Sequence, residues 1–107
     1  ICKLPIRETD IYIILKCLLL SSHSFVRTAR RTIKKYPHSA KYIQDTLEML
    51  SEDAFQPLLK THKLKGNLKG SWACSVGYEL RIIFKFAQYK DSEAILLETI
   101  GTHEEVY

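Results

Sequence analysis

Two histidines, a carboxylate, a guanidinium and a terminal phenol are the side chains of this 107-residue chain best suited to moving protons and gripping an anion. His62 lies in the basic run Lys60-Thr61-His62-Lys63-Leu64-Lys65-Gly66, and His103 follows Gly101 near the C-terminus. Histidine is the side chain that exchanges protons most readily near neutral pH. Glu79 and Arg81 stand at i and i+2 in a segment of period two, so the spacing predicts that they project from the same face of a strand. Such a pair is most often a surface ion pair of small energetic value. In a polyanion site, Arg81 can instead grip a phosphate with both arms of its fork, and Glu79 can accept a proton. Tyr107 offers an aromatic face and a hydroxyl, suited to stacking on a base or to docking the tail. The other two histidines, His23 and His38, sit near expected helix starts.

The charge distribution favours a polyanion. The net charge is +4, and its segregation is stronger than its size. Residues 11–44 carry seven cations and no acid: Lys16, Arg27, Arg30, Arg31, Lys34, Lys35 and Lys41. Residues 45–53 carry four acids and no base, and residues 54–78 carry Lys60, Lys63, Lys65 and Lys69 with no acid. A face exposed only for solubility usually mixes signs. Two basic blocks on one small domain are the footprint of a nucleic-acid binder, with Arg27, Arg30, Arg31, Lys34, Lys35, Lys60, Lys63, Lys65 and Lys69 as the contact residues.

These residues need a scaffold. The length suits one domain with a modest core. Residues 1–10 show no pattern and are expected to be a loose extension. Ile11 to Leu20 is apolar but short, and Lys16 interrupts it, so it reads as a buried strand or helix rather than a membrane span of ~20 residues. No small-residue cleavage site follows it, and the chain opens on Ile1, as a trimmed chain would. Ser21-Ser22-His23-Ser24 supplies N-cap residues for a helix from Phe25 to about Tyr36, with Phe25, Ala29, Ile33 and Tyr36 as its apolar stripe. Pro37 stops it. Ser39 is expected to cap a second helix to about Leu50, with Ala40, Ile43, Leu47 and Leu50 inward. Residues 51–61 read as a loop that tucks Phe55, Leu58 and Leu59 against the core. Strands are expected over Ser71 to Val76, Glu79 to Phe86 and Ala94 to Ile100, with a turn at Gly77-Tyr78. The order predicts an α+β domain: an N-terminal strand and a two-helix hairpin packed on a twisted antiparallel sheet.

Several chemistries have no sequence support. Cys2, Cys17 and Cys74 are an odd number without CxxC spacing, which argues against a disulfide framework or a cysteine zinc site and for a reducing cytoplasm. No Gly-rich phosphate loop, HExxH or GxSxG is present, and nothing calls for a cofactor or metal. RNA can be cut without either, by attack of a ribose 2′-hydroxyl on the adjacent phosphate with a base, an acid and a cation in attendance.

Four strings together carry a resemblance. They are His62-Lys63-Leu64-Lys65-Gly66, Gly70-Ser71-Trp72-Ala73-Cys74-Ser75-Val76, Leu80-Arg81-Ile82-Ile83-Phe84 and Gly101-Thr102-His103-Glu104-Glu105-Val106-Tyr107. From about Leu18 to Tyr107 the chain resembles the RelE/ParE toxin superfamily, and within it the YafQ-type mRNA interferases of bacterial type II toxin–antitoxin systems. The resemblance implies a RelE-like domain over 18–107 behind an extension over 1–17. It implies a ribosome-dependent, metal-independent endoribonuclease that cuts mRNA and is neutralised by a cognate antitoxin. Carried over, His62 and His103 match the pattern's two histidines, Glu79 stands where it has an aspartate, Arg81 matches the arginine held against the scissile phosphate, and Tyr107 matches a terminal aromatic. Ser75 stands where the pattern has a further histidine, so one acid/base group is missing. Two other functions compete: a ParE-like inhibitor of DNA gyrase, and a non-catalytic RNA- or partner-binding module. His62, Arg81 and His103 favour the nuclease over the first, and Ser75 keeps the second in play.

Overall fold

The computed structural model describes residues 2–3, 18–77 and 79–107. The elements in chain order are β1 (Cys2–Lys3), β2 (Leu18–Ser21), α1 (His23–Lys35), α2 (Ser39–Glu52), a 3₁₀ turn (Pro57–Leu59), β3 (His62–Lys63), a second 3₁₀ turn (Gly66–Leu68), β4 (Trp72–Val76), β5 (Leu80–Tyr89), β6 (Ser92–Thr102) and a one-turn helix α3 (His103–Val106). The strands form one sheet in the order β1-β2-β6-β5-β4-β3. Apart from β1, which pairs with β2, the extension expected over 1–17 lies outside the described residues.

The α+β class is as expected, with one correction to the sheet. It is mixed rather than antiparallel: β2 runs parallel to β6, with Leu18 opposite Ala94 and Ser21 opposite Leu97. The β3–β6 meander reverses direction at every step. The helical excursion first carries the chain across to the far edge, so the meander returns to β2 on a strand that points the same way.

Local chemistry sets the helix ends. Ser22 caps α1, its Oγ accepting from the Phe25 N–H at 3.0 Å. Lys34 and Lys35 occupy the last turn, where cations meet the negative end of the helix dipole. The inward stripe is more polar than its spacing predicts. Phe25 is buried and Ala29 and Ile33 pack against the core, but Thr28 and Thr32 are also buried. Thr28 Oγ1 donates to the Ser24 carbonyl at 2.9 Å and accepts from the Ile100 N–H at 3.2 Å, stitching α1 to β6. Ser39 does not cap α2. The N-cap is His38, and Ser39 is the first helical residue, with a buried Oγ that has no partner. The turn over Pro37 and His38 explains this: the Tyr36 and Pro37 carbonyls already accept from the Ser39 and Ala40 N–H groups at 2.9 and 3.4 Å.

The core lies between the helices and one face of the sheet, around Leu50, Leu59, Ile82, Phe84, Ile95, Leu97 and Ile100, each at most 2% exposed. Of the three residues expected to plug this core after α2, only Leu59 does so. Leu58 is 78% exposed and Phe55 57%. A 3₁₀ turn of three residues has room for one inward side chain, and Leu59 takes that place. Along β6 the core residues are Ile95, Leu97 and then Ile100, a spacing that breaks strict alternation. The register with β5 shifts between Ile83 and Phe84, leaving Glu98 as an extra residue that restores Ile100 to the core face. The β5–β6 hairpin closes on Lys90-Asp91, both left-handed at φ 49° and 65°. That is the backbone of a two-residue turn matched to strand twist.

Candidate active site

The sheet face away from α1 and α2 holds several of the residues expected to act chemically. His62 on β3 pairs with Ala73 on β4, Ser75 pairs with Arg81 on β5, and Arg81 pairs with Gly101 on β6. Pairs in register share a face, and residues two apart on a strand do too. His62, Ser75 and Arg81 therefore project to one side, and Cys74, Ile82 and Phe84 to the core side.

The C-terminus folds back onto this face. Thr102 and Glu105 form a capping box: the Thr102 hydroxyl accepts from the Glu105 N–H at 3.3 Å, and the Glu105 carboxylate accepts from the Thr102 N–H at 2.9 Å. Sequence reasoning missed α3, although Thr-x-x-Glu is a helix-start signal. Gly101 is buried beneath the turn, and a Cβ there would meet the Glu105 Cβ at 3.1 Å and a Val106 methyl at 3.2 Å. Glycine thus allows the tail to lie against the strand. The bonds from Thr102 hold the Glu105 carboxyl below its ordinary range, with smaller help from Lys35 and Arg31. Those two cations place the C-terminal end of α1 beside the site.

The tail brings three of the predicted residues together. The His103 and Tyr107 rings meet edge to face, with centroids 4.4 Å apart. The Tyr107 hydroxyl lies 3.4 Å from His62 Nε2. His62 Nδ1 lies 2.9 Å from the Lys60 carbonyl oxygen. A carbonyl only accepts, so this contact assigns the neutral ring's proton to Nδ1 and leaves Nε2 as the basic nitrogen. Tyr107 then donates to it. Partial burial raises the Tyr107 pKa, and the nearby Arg81 charge offsets part of that rise. Arg81 is half-buried and donates through Nη1 to its neighbour's carbonyl, that of Leu80, at 2.8 Å.

Glu79 does not share a strand face with Arg81. β5 begins at Leu80, and Glu79 is an exposed residue of the turn after Gly77. Gly77 is left-handed at φ 57°, and the reversal it makes consumes Glu79 before pairing begins. Ser75 is half-buried opposite Arg81. The predicted basic residues are all exposed: Arg27, Arg30, Arg31, Lys34 and Lys35 along α1, and Lys60, Lys63, Lys65 and Lys69 around β3 and the second 3₁₀ turn. Arg27 and Arg30 also line an open cavity with Ser21, His23 and Val26 at the N-terminal end of α1. Among the described residues, no three His, Cys, Asp or Glu side chains gather as a metal set, and no helix is long and apolar enough to cross a membrane.

Cys74 lies behind Arg81 on the core side. Burial pushes its thiol up to about 12, against small opposing effects from an Ile82 backbone bond and the Arg81 charge. It is a neutral packing group at any physiological pH. With Cys2 and Cys17 replaced by serine, the folded protein should resist iodoacetamide at pH 8 and become labelled at Cys74 only in denaturant. Labelling of the native protein as fast as a free thiol would show that Cys74 is accessible.

The comparisons with known proteins agree with this architecture. No curated protein matches the sequence. YafQ from Escherichia coli strain BL21(DE3) superposes with a TM-score of 0.63 at 20% identity, covering 83% of this chain and 96% of that one. The toxin in the E. coli DinJ–YafQ toxin–antitoxin complex gives 0.67 at 17% identity, covering 86% and 98%. A YoeB/ParE toxin from Agrobacterium tumefaciens gives 0.66 at 18% identity, covering 79% and 97%. Likeness at such identities establishes the fold. Residues 19–107 also match the profile of the bacterial toxin YafQ of type II toxin–antitoxin systems. The chain therefore belongs to the YafQ family of type II toxin–antitoxin toxins.

Proposed function

We propose that this toxin is a metal-independent endoribonuclease that cuts mRNA on the ribosome. The observation that carries the reading is the convergence of His62, Tyr107 and His103 on the sheet face that holds Arg81. When the ribose 2′-hydroxyl takes the place of the Tyr107 hydroxyl, His62 Nε2, the basic nitrogen of its ring, takes the proton from it. The freed oxygen attacks the adjacent phosphorus, and the bond from phosphorus to the 5′-oxygen breaks. His103, protonated, gives its proton to that departing oxygen. Arg81, a permanent cation on a strand, stabilises the charge on the five-coordinate phosphorus. In the free protein Tyr107 links the histidines, and with RNA bound it orients the base or phosphate. Glu79 is the alternative base, but its place in the turn favours His62.

The basic residues of α1 and of the Lys60–Lys69 segment hold ribosomal and messenger RNA in this reading. The toxin domain spans 18–107, with 1–17 as an extension, and it works in the cytoplasm. A cognate antitoxin neutralises it, an assignment supported by the DinJ–YafQ complex and by the YoeB–YefM complex from Staphylococcus aureus. An acidic or amphipathic antitoxin segment suits the net charge of +4.

Product ends test the chemistry. Cleavage of mRNA on translating ribosomes should leave a 2′,3′-cyclic or 3′-phosphate and a 5′-hydroxyl, with EDTA without effect on the isolated chemical step. Cuts bearing a 5′-phosphate would assign the attack to water instead. Inhibition of gyrase with intact mRNA would make the protein a ParE-like poison.

A further inference from the structure

On the helix side of the sheet, four aromatic rings meet at the edge formed by β3 and β4. Phe55 stacks on Phe86 with centroids 5.8 Å apart and planes 21° from parallel. Trp72 meets both edge to face, at 5.4 and 5.3 Å, and Phe84 buttresses Phe86 at 5.5 Å. Packing of this kind is ordinary in a core, but here it is open to solvent. Phe55 is 57% exposed and Phe86 42%. Lys63 Nζ stands 5.4 Å from the Trp72 ring centroid. Clustered exposed aromatics of this sort mark an interaction surface.

We propose that Phe55, Phe86 and Trp72 form a stacking platform for unpaired bases of the RNA strand that flanks the cut. This rests on the RNA-cutting reading above. Three features favour single-stranded RNA as the occupant. The first is charge: residues 54–78, which contribute Phe55 and Trp72, carry four lysines and no acid. Two carboxylates next to this segment are engaged, Asp53 accepting from the Phe55 N–H at 2.9 Å and Glu98 facing Lys85 at 3.6 Å and accepting from the Ser71 hydroxyl at 2.7 Å. The second is chemistry: a ring pile edged by lysines satisfies base faces and phosphates together, whatever the sequence. The third is position. His62 and Lys63 are the whole of β3, and they point to opposite faces of the sheet. His62 belongs to the Tyr107 cluster and Lys63 to Trp72. A strand leaving the cluster needs only to cross this two-residue edge to reach the platform.

The chain has a single tryptophan, so its fluorescence reports the platform directly. The probe is a 2′-O-methyl RNA of about eight nucleotides, which lacks the attacking hydroxyl and stays intact. Titration should quench Trp72, and an abasic oligonucleotide of equal charge should quench it far less. Replacing Phe55 and Phe86 with leucine keeps the apolar area and removes the rings. That double variant should bind the probe roughly five- to hundredfold more weakly for each base that no longer stacks, with an unchanged melting temperature. Equal affinity of wild type and double variant, or quenching that ignores the bases, would overturn the proposal. So would a double variant that binds RNA normally and loses the antitoxin, since the patch would then be a protein interface. The nuclease reading is separable: absent cleavage by the wild type counts against it and leaves the quench as evidence for the platform, whereas normal cleavage without a quench counts against the platform alone.

Discussion

Replacing His103 or Arg81 with alanine should lower the rate of mRNA cleavage on ribosomes by about 10²–10⁴-fold and restore growth to cells expressing the toxin. The size follows from the roles. A positioned acid contributes ~10²–10⁴-fold, and one preorganised donor to developing charge contributes ~10²–10³-fold. Stability should hold, because His103 is an exposed residue of α3, and Arg81 is half-buried and bonds to the carbonyl of its own neighbour in the strand. Arg81→Lys keeps the charge but not the fork, so it should recover only part of the activity. The companion pair separates the two candidate bases. His62→Ala should fall as far as His103→Ala, and Glu79→Gln should stay near wild type. Cleavage within threefold of wild type in both His103→Ala and Arg81→Ala, measured on folded protein, would remove these residues from the mechanism.

What the sequence disclosed depended on whether a signal was local. The cap at Ser22 and the alternation in β5 act within a few residues, and they located α1 and the meander. The stripe on α1 was legible only in part, because Thr28 is buried to serve Ile100, 72 residues away. No local pattern encodes that need. The same holds for Ser39: its hydroxyl read as a cap, but the Pro37 turn had already supplied carbonyls to the first N–H groups. Leu58 and Leu59 are equally apolar, and only turn geometry decided which went inward. Candidate site residues were recognisable by type, and their assembly was not. His62 and Tyr107 are 45 positions apart, and their contact depends on the Thr102–Glu105 box and on the room left by Gly101. The box was visible as Thr-x-x-Glu. Glu79 misled because period two continued through it, while the left-handed Gly77 delayed the start of β5.

Exchanging Arg30, Arg31, Lys34 and Lys35 together for glutamine should weaken ribosome binding and flatten its dependence on salt. Each phosphate neutralised by a cation releases counterions, worth ~0.7–0.9 in the slope of log affinity against log salt. Without these four cations on phosphate that slope should fall by roughly 3, so between 50 and 200 mM salt the wild type should lose roughly sixtyfold more affinity than the variant. All four side chains are exposed, and glutamine is a good helix former, so α1 should persist. The loss of Lys34 and Lys35 from the last turn removes about 0.3–1 kcal/mol each of dipole stabilisation, which a melting curve can register separately. Position strengthens the expectation. Arg31 and Lys35 lie close enough to Glu105 to act on its carboxyl, so the cationic face of α1 runs up to the turn that carries His103. A phosphate backbone seated on α1 would be led toward the cluster. The control is a variant with the same chemistry elsewhere, Lys41→Gln with Lys90→Gln; Lys41 is exposed on α2, and Lys90 lies over the Tyr89 ring at the β5–β6 hairpin. It should keep the wild-type slope. If the control's slope falls by half as much, in proportion to the two charges it removes against four, only net charge matters and α1 is a solvated face. If neither changes, the ribosome is held by the Lys60–Lys69 segment alone.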